Sequence, residues 1–104
     1  IFVDDVAHVV SLLLDKRDIS FGIFNLGCGK VTTVGEVVGI VLQCAAHHPH
    51  DVIYTGNMPT TIGLRALNCD KIRQTLQWEP AHSVGDGIAI TMAWWRRHKE
   101  SWRK

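Results

Sequence analysis

Apolar residues at helical spacing dominate the start of the chain: Val6, Val9, Val10, Leu13 and Leu14 recur three and four apart, on one face of an α-helix. Ile1-Phe2-Val3 before it reads as the end of a strand, and Asp4 or Asp5 is placed to cap the helix. Lys16 and Arg17 fall where cations complement a helix C-terminus. The run Gly22-Ile23-Phe24-Asn25-Leu26 predicts a second strand leading into Gly27-Cys28-Gly29. Thr33 with Glu36 three residues on is a capping box, and Val34, Val37, Val38, Val41 and Leu42 predict a buried stripe on a helix ending near Ala46. His47-His48-Pro49-His50 predicts a turn. Val52 and Tyr54 alternating with Ile53 then predict a short strand over 51–55. The glycines, Pro59 and polar residues of 56–63 predict a loop. Ile72 and Leu76 pair at i and i+4 on a short helix over 70–77, stopped by Pro80. Ser83 and Asp86 open a last helix with Val84, Ile88, Met92 and Trp95 as its apolar seam. The expectation is an α/β fold of three short strands and about four helices, in a single region spanning 1–104.

Composition narrows the class. A chain of 104 residues that is 46% hydrophobic and 20% charged carries enough apolar surface to fold, and is too short for a second core. The longest apolar stretch, 6–14, is broken by Ala7-His8 and Ser11 and falls well short of the ~20 residues of a membrane span. No basic leader with a long apolar region opens the chain, so a cytoplasmic address is expected. Cys28, Cys44 and Cys69 are an odd, widely spaced set without a C-x-x-C pair, which argues against a disulfide framework and against a thiolate zinc site. A net charge of +1 gives no field that would draw nucleic acid. The chain begins at Ile1 inside an apolar run, as a fragment of a longer protein would.

Candidate chemistry is sparse. The Gly27-Cys28-Gly29 turn before a helix is the setting in which dinucleotide-binding units hold pyrophosphate, but the third glycine of G-x-G-x-x-G would fall at Thr32, and no acidic residue follows at the ribose position. A phosphate loop fails too, with Val31 after Gly29-Lys30 and Phe24 at the required upstream glycine. Tyr54 is the only tyrosine, and Met58 stands four positions on, where a dehydrogenase lysine would lower the phenol pKa. The serines have no readable histidine and acid partners. His47, His48 and His50 beside Asp51 could meet a metal, yet adjacent loop side chains rarely converge on one ion. The aromatic and basic residues of 94–104 suit a solvated helix end better than a nucleic-acid site.

Four stretches taken in order resemble the extended short-chain dehydrogenase/reductase family, the NAD-dependent epimerase/dehydratase type acting on nucleotide sugars. Ile1-Phe2-Val3-Asp4-Asp5-Val6-Ala7 resembles its F-[IV]-x-V-x-D-V-A segment, and Phe24-Asn25-Leu26-Gly27-Cys28-Gly29 its N-[VL]-G-x-G turn. Pro59-Thr60-Thr61, Arg65, Lys71, Leu76, Trp78, Glu79 and Pro80 resemble its K-P-[TD]-[TG], R-x-x-D-x-S-K and L-G-[WF]-x-P series. Gly87-Ile88, Thr91 and Trp94-Trp95 resemble its closing G-[LI]-x-x-T-x-x-W helix. Met58 stands where many relatives have lysine, Asn68 for aspartate, Asp70 for serine and Gln77 for glycine.

The resemblance implies the C-terminal, substrate-side subdomain of a Rossmann-type enzyme, with the Rossmann half absent. It implies a nucleotide-sugar-binding portion of an NAD(P)-dependent epimerase, dehydratase or reductase. No catalytic or metal residue is expected in this chain, which alone is expected to be inactive. It implies Arg65 as the substrate residue, since a guanidinium can meet a diphosphate with two parallel hydrogen bonds. No cofactor is expected in the chain itself, NAD or NADP belonging to the parent family. The expected partners are a nucleoside-diphosphate sugar, bound weakly, and either the missing Rossmann half or a second copy, because the apolar stripes of 6–14 and 34–44 exceed what three short strands can cover. The alternative is an independently encoded small α/β binding or interaction module that keeps the fold without the activity.

Overall fold

The computed structural model describes residues 1–56 and 63–102. Among the described residues four α-helices run in chain order, α1 (Val3–Asp15), α2 (Val34–Ala45), α3 (Asp70–Leu76) and α4 (Val84–His98), with a 3₁₀ turn over Lys99–Trp102. Local signals account for the starts of α2 and α4. Thr33 accepts a hydrogen bond from Glu36 N while Glu36 Oε2 accepts from Thr33 N at 2.6 Å, a complete capping box. Ser83 and Asp86 repeat it on α4. Hydrogen bonds from the Thr33 amide and hydroxyl hold the Glu36 carboxyl below its ordinary pKa, and those from the Ser83 hydroxyl and amide do the same for Asp86.

The expected α/β architecture is not formed: among the described residues there is no strand. A strand needs a neighbour about 4.8 Å away to take its main-chain hydrogen bonds. In 22–28 two main-chain carbonyls go to side chains instead. Lys71 Nζ donates to Ile23 O at 2.9 Å and Arg73 Nη2 to Cys28 O at 3.1 Å, so helix α3 occupies the place of a pairing strand. Residues 51–55 have alternating side chains but no ladder, because alternation specifies faces and not a partner. Phe2 is extended, yet the next residue already begins α1. The expected loop 56–63 falls largely on residues outside those described, as do Met58, Pro59, Thr60 and Thr61.

Three further expectations change. Asp4 and Asp5 lie inside the first turn of α1 rather than capping it. The α2 stripe is only half covered: Val37, Val38 and Leu42 are partly buried while Val34 is 77% exposed, and no residue of that helix is fully buried. Trp95 does not continue the α4 seam, since it is half exposed while Val84, Ile88 and Met92 are partly buried.

The core is small. Val9, Cys69, Ile72, Leu76 and Trp78 are buried, joining α1 to α3 and to the segment after it, with Leu12, Leu13, Ile19, Phe24 and Leu26 packed around them. Helix α2 packs on α4 beside this cluster. The radius of gyration, 17.5 Å, exceeds the ~13 Å of a compact domain of about 100 residues. Large apolar side chains accordingly face outward, Phe21 fully and Leu14, Ile23 and Ile53 nearly so. Among the described residues no helix is long and apolar enough to cross a membrane.

Gln77 ends α3 in the left-handed region at φ 52, where a helix most often places glycine. A Cβ there costs about 1–2 kcal/mol. Part of that returns to the unfolded chain when glycine, the more flexible residue, is introduced. Gln77→Gly is therefore expected to stabilise the protein by about 0.5–1 kcal/mol in urea denaturation. A loss of stability would show that the glutamine side chain makes contacts worth more than the strain.

Candidate functional site

The four motif-bearing stretches meet in space. Asp5, in the first, is buried and receives Ala81 N at 2.9 Å, His82 N at 3.4 Å and the His82 ring through Nδ1 at 3.0 Å. It thus ties α1 to the chain entering α4, which no neighbour in sequence reveals. Burial pushes its carboxyl pKa up. The hydrogen bonds from the His82 ring and from the amides of Ala81 and His82, aided by the imidazole charge, outweigh burial and hold it below the ordinary value. Phe2, in the same stretch, lies against Gly87 so closely that a Cβ there would sit 3.2 Å from the ring. Phe2 also packs tilted on His82, ring centroids 4.8 Å apart.

The glycine turn joins the third stretch. Asn25 Nδ2 donates to Asn68 O at 3.1 Å, and Gly27 lies against Leu67 and Cys69. Gly29 has φ +68, and a Cβ on it would come within 2.8 Å of the Arg73 guanidinium. Two of the departures, Asn68 and Asp70, fit this local structure. Asn68 Oδ1 accepts from Asp70 N at 2.8 Å, serving the start of α3 as an aspartate would. Asp70 lies 3.7 Å from Arg73 one turn on.

At the turn of 27–29 the guanidinium of Arg73 lies against Gly29, and the capping box satisfies the Thr33 and Glu36 amides at the start of α2. Arg65 lies in the irregular segment before α3, exposed, with no ion pair or hydrogen bond among the described residues. The loop expected beside it lies outside the described residues. His47, His48 and His50 follow α2, with His47 N bonded to Leu42 O at 3.0 Å. Trp94, His98 and Trp102 pack on one another at the end of α4, with ring centroids 5.0 and 6.0 Å apart.

Sequence reasoning missed Arg73 and His82. The only local signals were an arginine one turn after Asp70 and a histidine directly before a capping serine. Their roles arise from contacts 45 and 77 residues away in sequence.

No family model and no solved structure matches the chain. It is 29% identical over 80 residues to a dTDP-glucose 4,6-dehydratase of Streptomyces griseus, covering 77% of this chain and 24% of that protein. It is also 29% identical over 94 residues to a UDP-glucose 4-epimerase of Azospirillum brasilense, covering 90% of this chain and 27% of that protein. The chain thus spans about a quarter of the length of the curated relatives it matches. These similarities relate the chain to the NAD-dependent epimerase/dehydratase family in general.

Proposed function

We propose that this chain is the nucleotide-sugar-binding, substrate-side part of an NAD(P)-dependent sugar epimerase, dehydratase or reductase, without catalytic power of its own. The observation that carries the reading is the similarity, across most of the chain, to a dehydratase and an epimerase named for dTDP-glucose and UDP-glucose. Support comes from the mutual contact of the resembling stretches, which gives those motifs a shared physical role. The tyrosine and lysine of the chemistry, and the nicotinamide cofactor, belong in this reading to a dinucleotide-binding unit. That unit covers the outward apolar residues Leu14, Phe21, Ile23 and Val34.

Arg65 is the residue assigned to the diphosphate. Its exposure leaves the planar guanidinium available for two parallel hydrogen bonds, a geometry lysine cannot copy. Titration of the chain with UDP or dTDP, followed by amide NMR, is expected to shift resonances around 63–69. The affinity is weak, because only part of the binding surface is contributed here. Arg65→Ala is expected to lower it on the order of tenfold or more, the worth of a charge-assisted hydrogen bond. Shifts that persist unchanged in Arg65→Ala would remove Arg65 from the site.

A further inference from the structure

We propose that the recess between the Gly29 turn, α3 and the start of α4 is a binding site for a single tetrahedral oxyanion, a phosphate group, organised by Arg73 and Lys30 and separate from Arg65. The recess encloses about 310 Å³ and is lined by Lys30, Thr32, Arg73, Glu79 and His82 among others, drawn from three separate parts of the chain.

Arg73 is the centre of the argument. A guanidinium has five N–H donors. Here one good hydrogen bond is made, from Nη2 to Cys28 O at 3.1 Å. The contacts to Asp70 and Glu79 are both 3.7 Å, too long for hydrogen bonds, and Nε is buried without a partner. Nε is closed off from the recess, so the donors that an anion can reach are the N–H groups of Nη1 and Nη2 not used on Cys28. The Gly29 turn holds the guanidinium from behind, since a side chain there would collide with it. The fork is therefore fixed in position with donors unused, which is the condition for bidentate capture of an oxyanion.

The rest of the lining agrees in charge and type. Lys30 is exposed and in no ion pair among the described residues, and the Thr32 hydroxyl adds a donor. His82 is anchored through Nδ1 on Asp5, so its ring stands in a set orientation on the recess wall. The opposing charge is Glu79, whose side chain is 79% exposed and free to swing into solvent when an anion enters. An apolar ligand would leave the Arg73 donors unpaired, and a cation would in addition meet repulsion from Arg73 and Lys30.

Amide NMR titration of the chain with inorganic phosphate, at ionic strength held constant with sodium chloride, is expected to give saturable shifts at 28–32, 73 and 79–83. The dissociation constant is expected on the order of 1–10 mM for a small, solvent-accessible site. Arg73→Gln is expected to abolish the shifts, and Lys30→Gln to weaken binding several-fold. Arg65→Ala should leave it unchanged, which keeps this result independent of the diphosphate reading above. Glu79→Gln is the decisive variant, because its side chain is exposed and the fold does not depend on it. Removing the competing carboxylate should tighten phosphate binding, whereas a purely structural Arg73–Glu79 pair predicts no gain. Uridine monophosphate separates a free ion from a phosphate carried on a larger molecule: tighter binding than inorganic phosphate at the same residues supports the latter, weaker binding the former. Absence of saturable shifts in the unmodified chain, or unchanged phosphate affinity in both Arg73→Gln and Glu79→Gln, overturns the proposal.

Discussion

Replacing Trp78 by alanine is expected to cost about 3–5 kcal/mol and to leave little or no folded protein. Trp78 is 3% exposed and belongs to a core that, among the described residues, has five buried apolar side chains, so few neighbours can close over the space it leaves. A domain of this size has about 5–15 kcal/mol of stability in all, and this one spreads a thin core over an extended shape. Trp78→Phe isolates a second effect. The indole Nε1 is buried without a hydrogen-bond partner, a penalty of about 1–3 kcal/mol that phenylalanine removes. That gain opposes the smaller ring's lost packing, so Trp78→Phe is expected within about 1 kcal/mol of the original protein. Urea denaturation followed by circular dichroism checks both, because the other tryptophans complicate fluorescence. An alanine variant with an unshifted midpoint would show that this cluster is not the core.

The second large effect belongs to Asp5. Asp5→Ala leaves the Ala81 and His82 amides and the His82 ring without their acceptor and unties α1 from the start of α4, so the unfolding midpoint is expected to fall by many degrees. Asp5→Asn is milder, because an amide oxygen can still accept one of these bonds. The pH dependence has a definite sign. A carboxyl whose folded pKa lies below its unfolded one adds stability that is fully present above the unfolded value, about pH 4, and is lost as pH falls through the folded value. Glu36 and Asp86 act in the same direction through their capping boxes. The protein is therefore expected to lose stability steeply on acidification below about pH 4, and Asp5→Asn to flatten that slope. An unchanged acid limb in Asp5→Asn would mean that Asp5 has the same pKa folded and unfolded.

Acid sensitivity also bears on the phosphate recess proposed above. Asp5 holds His82 on the wall of the recess beside Arg73, so protonating Asp5 loosens the recess as well as the fold.

The sequence by itself determined the helices, because their signals are local. Thr33 with Glu36 and Ser83 with Asp86 each satisfy helix-end amides within four residues, and the expected starts of α2 and α4 follow from those bonds alone. Of the face expected on α1, Val9 is buried and Leu13 packs against the core while Val10 and Leu14 are exposed, and Ile72 and Leu76 of α3 are both buried. The four motif stretches were legible as residues.

Tertiary structure alone decided the rest. Alternation at 51–55 and the run at 22–26 suggested strands, but pairing is a relation between distant segments, and here Lys71 and Arg73 of α3 take main-chain carbonyls that a neighbouring strand would have taken. Asp5 looked like a cap from its place before an apolar helix. Only the approach of residues 81 and 82 made it a buried acceptor. Arg73 was not singled out from the sequence at all, and its place against the left-handed turn at Gly29, with Nε unpartnered among the described residues, arises only in the fold. Local sequence encodes the hydrogen bonds a segment makes with itself. The donors and acceptors that remain find their partners, or fail to find them, only when distant segments meet.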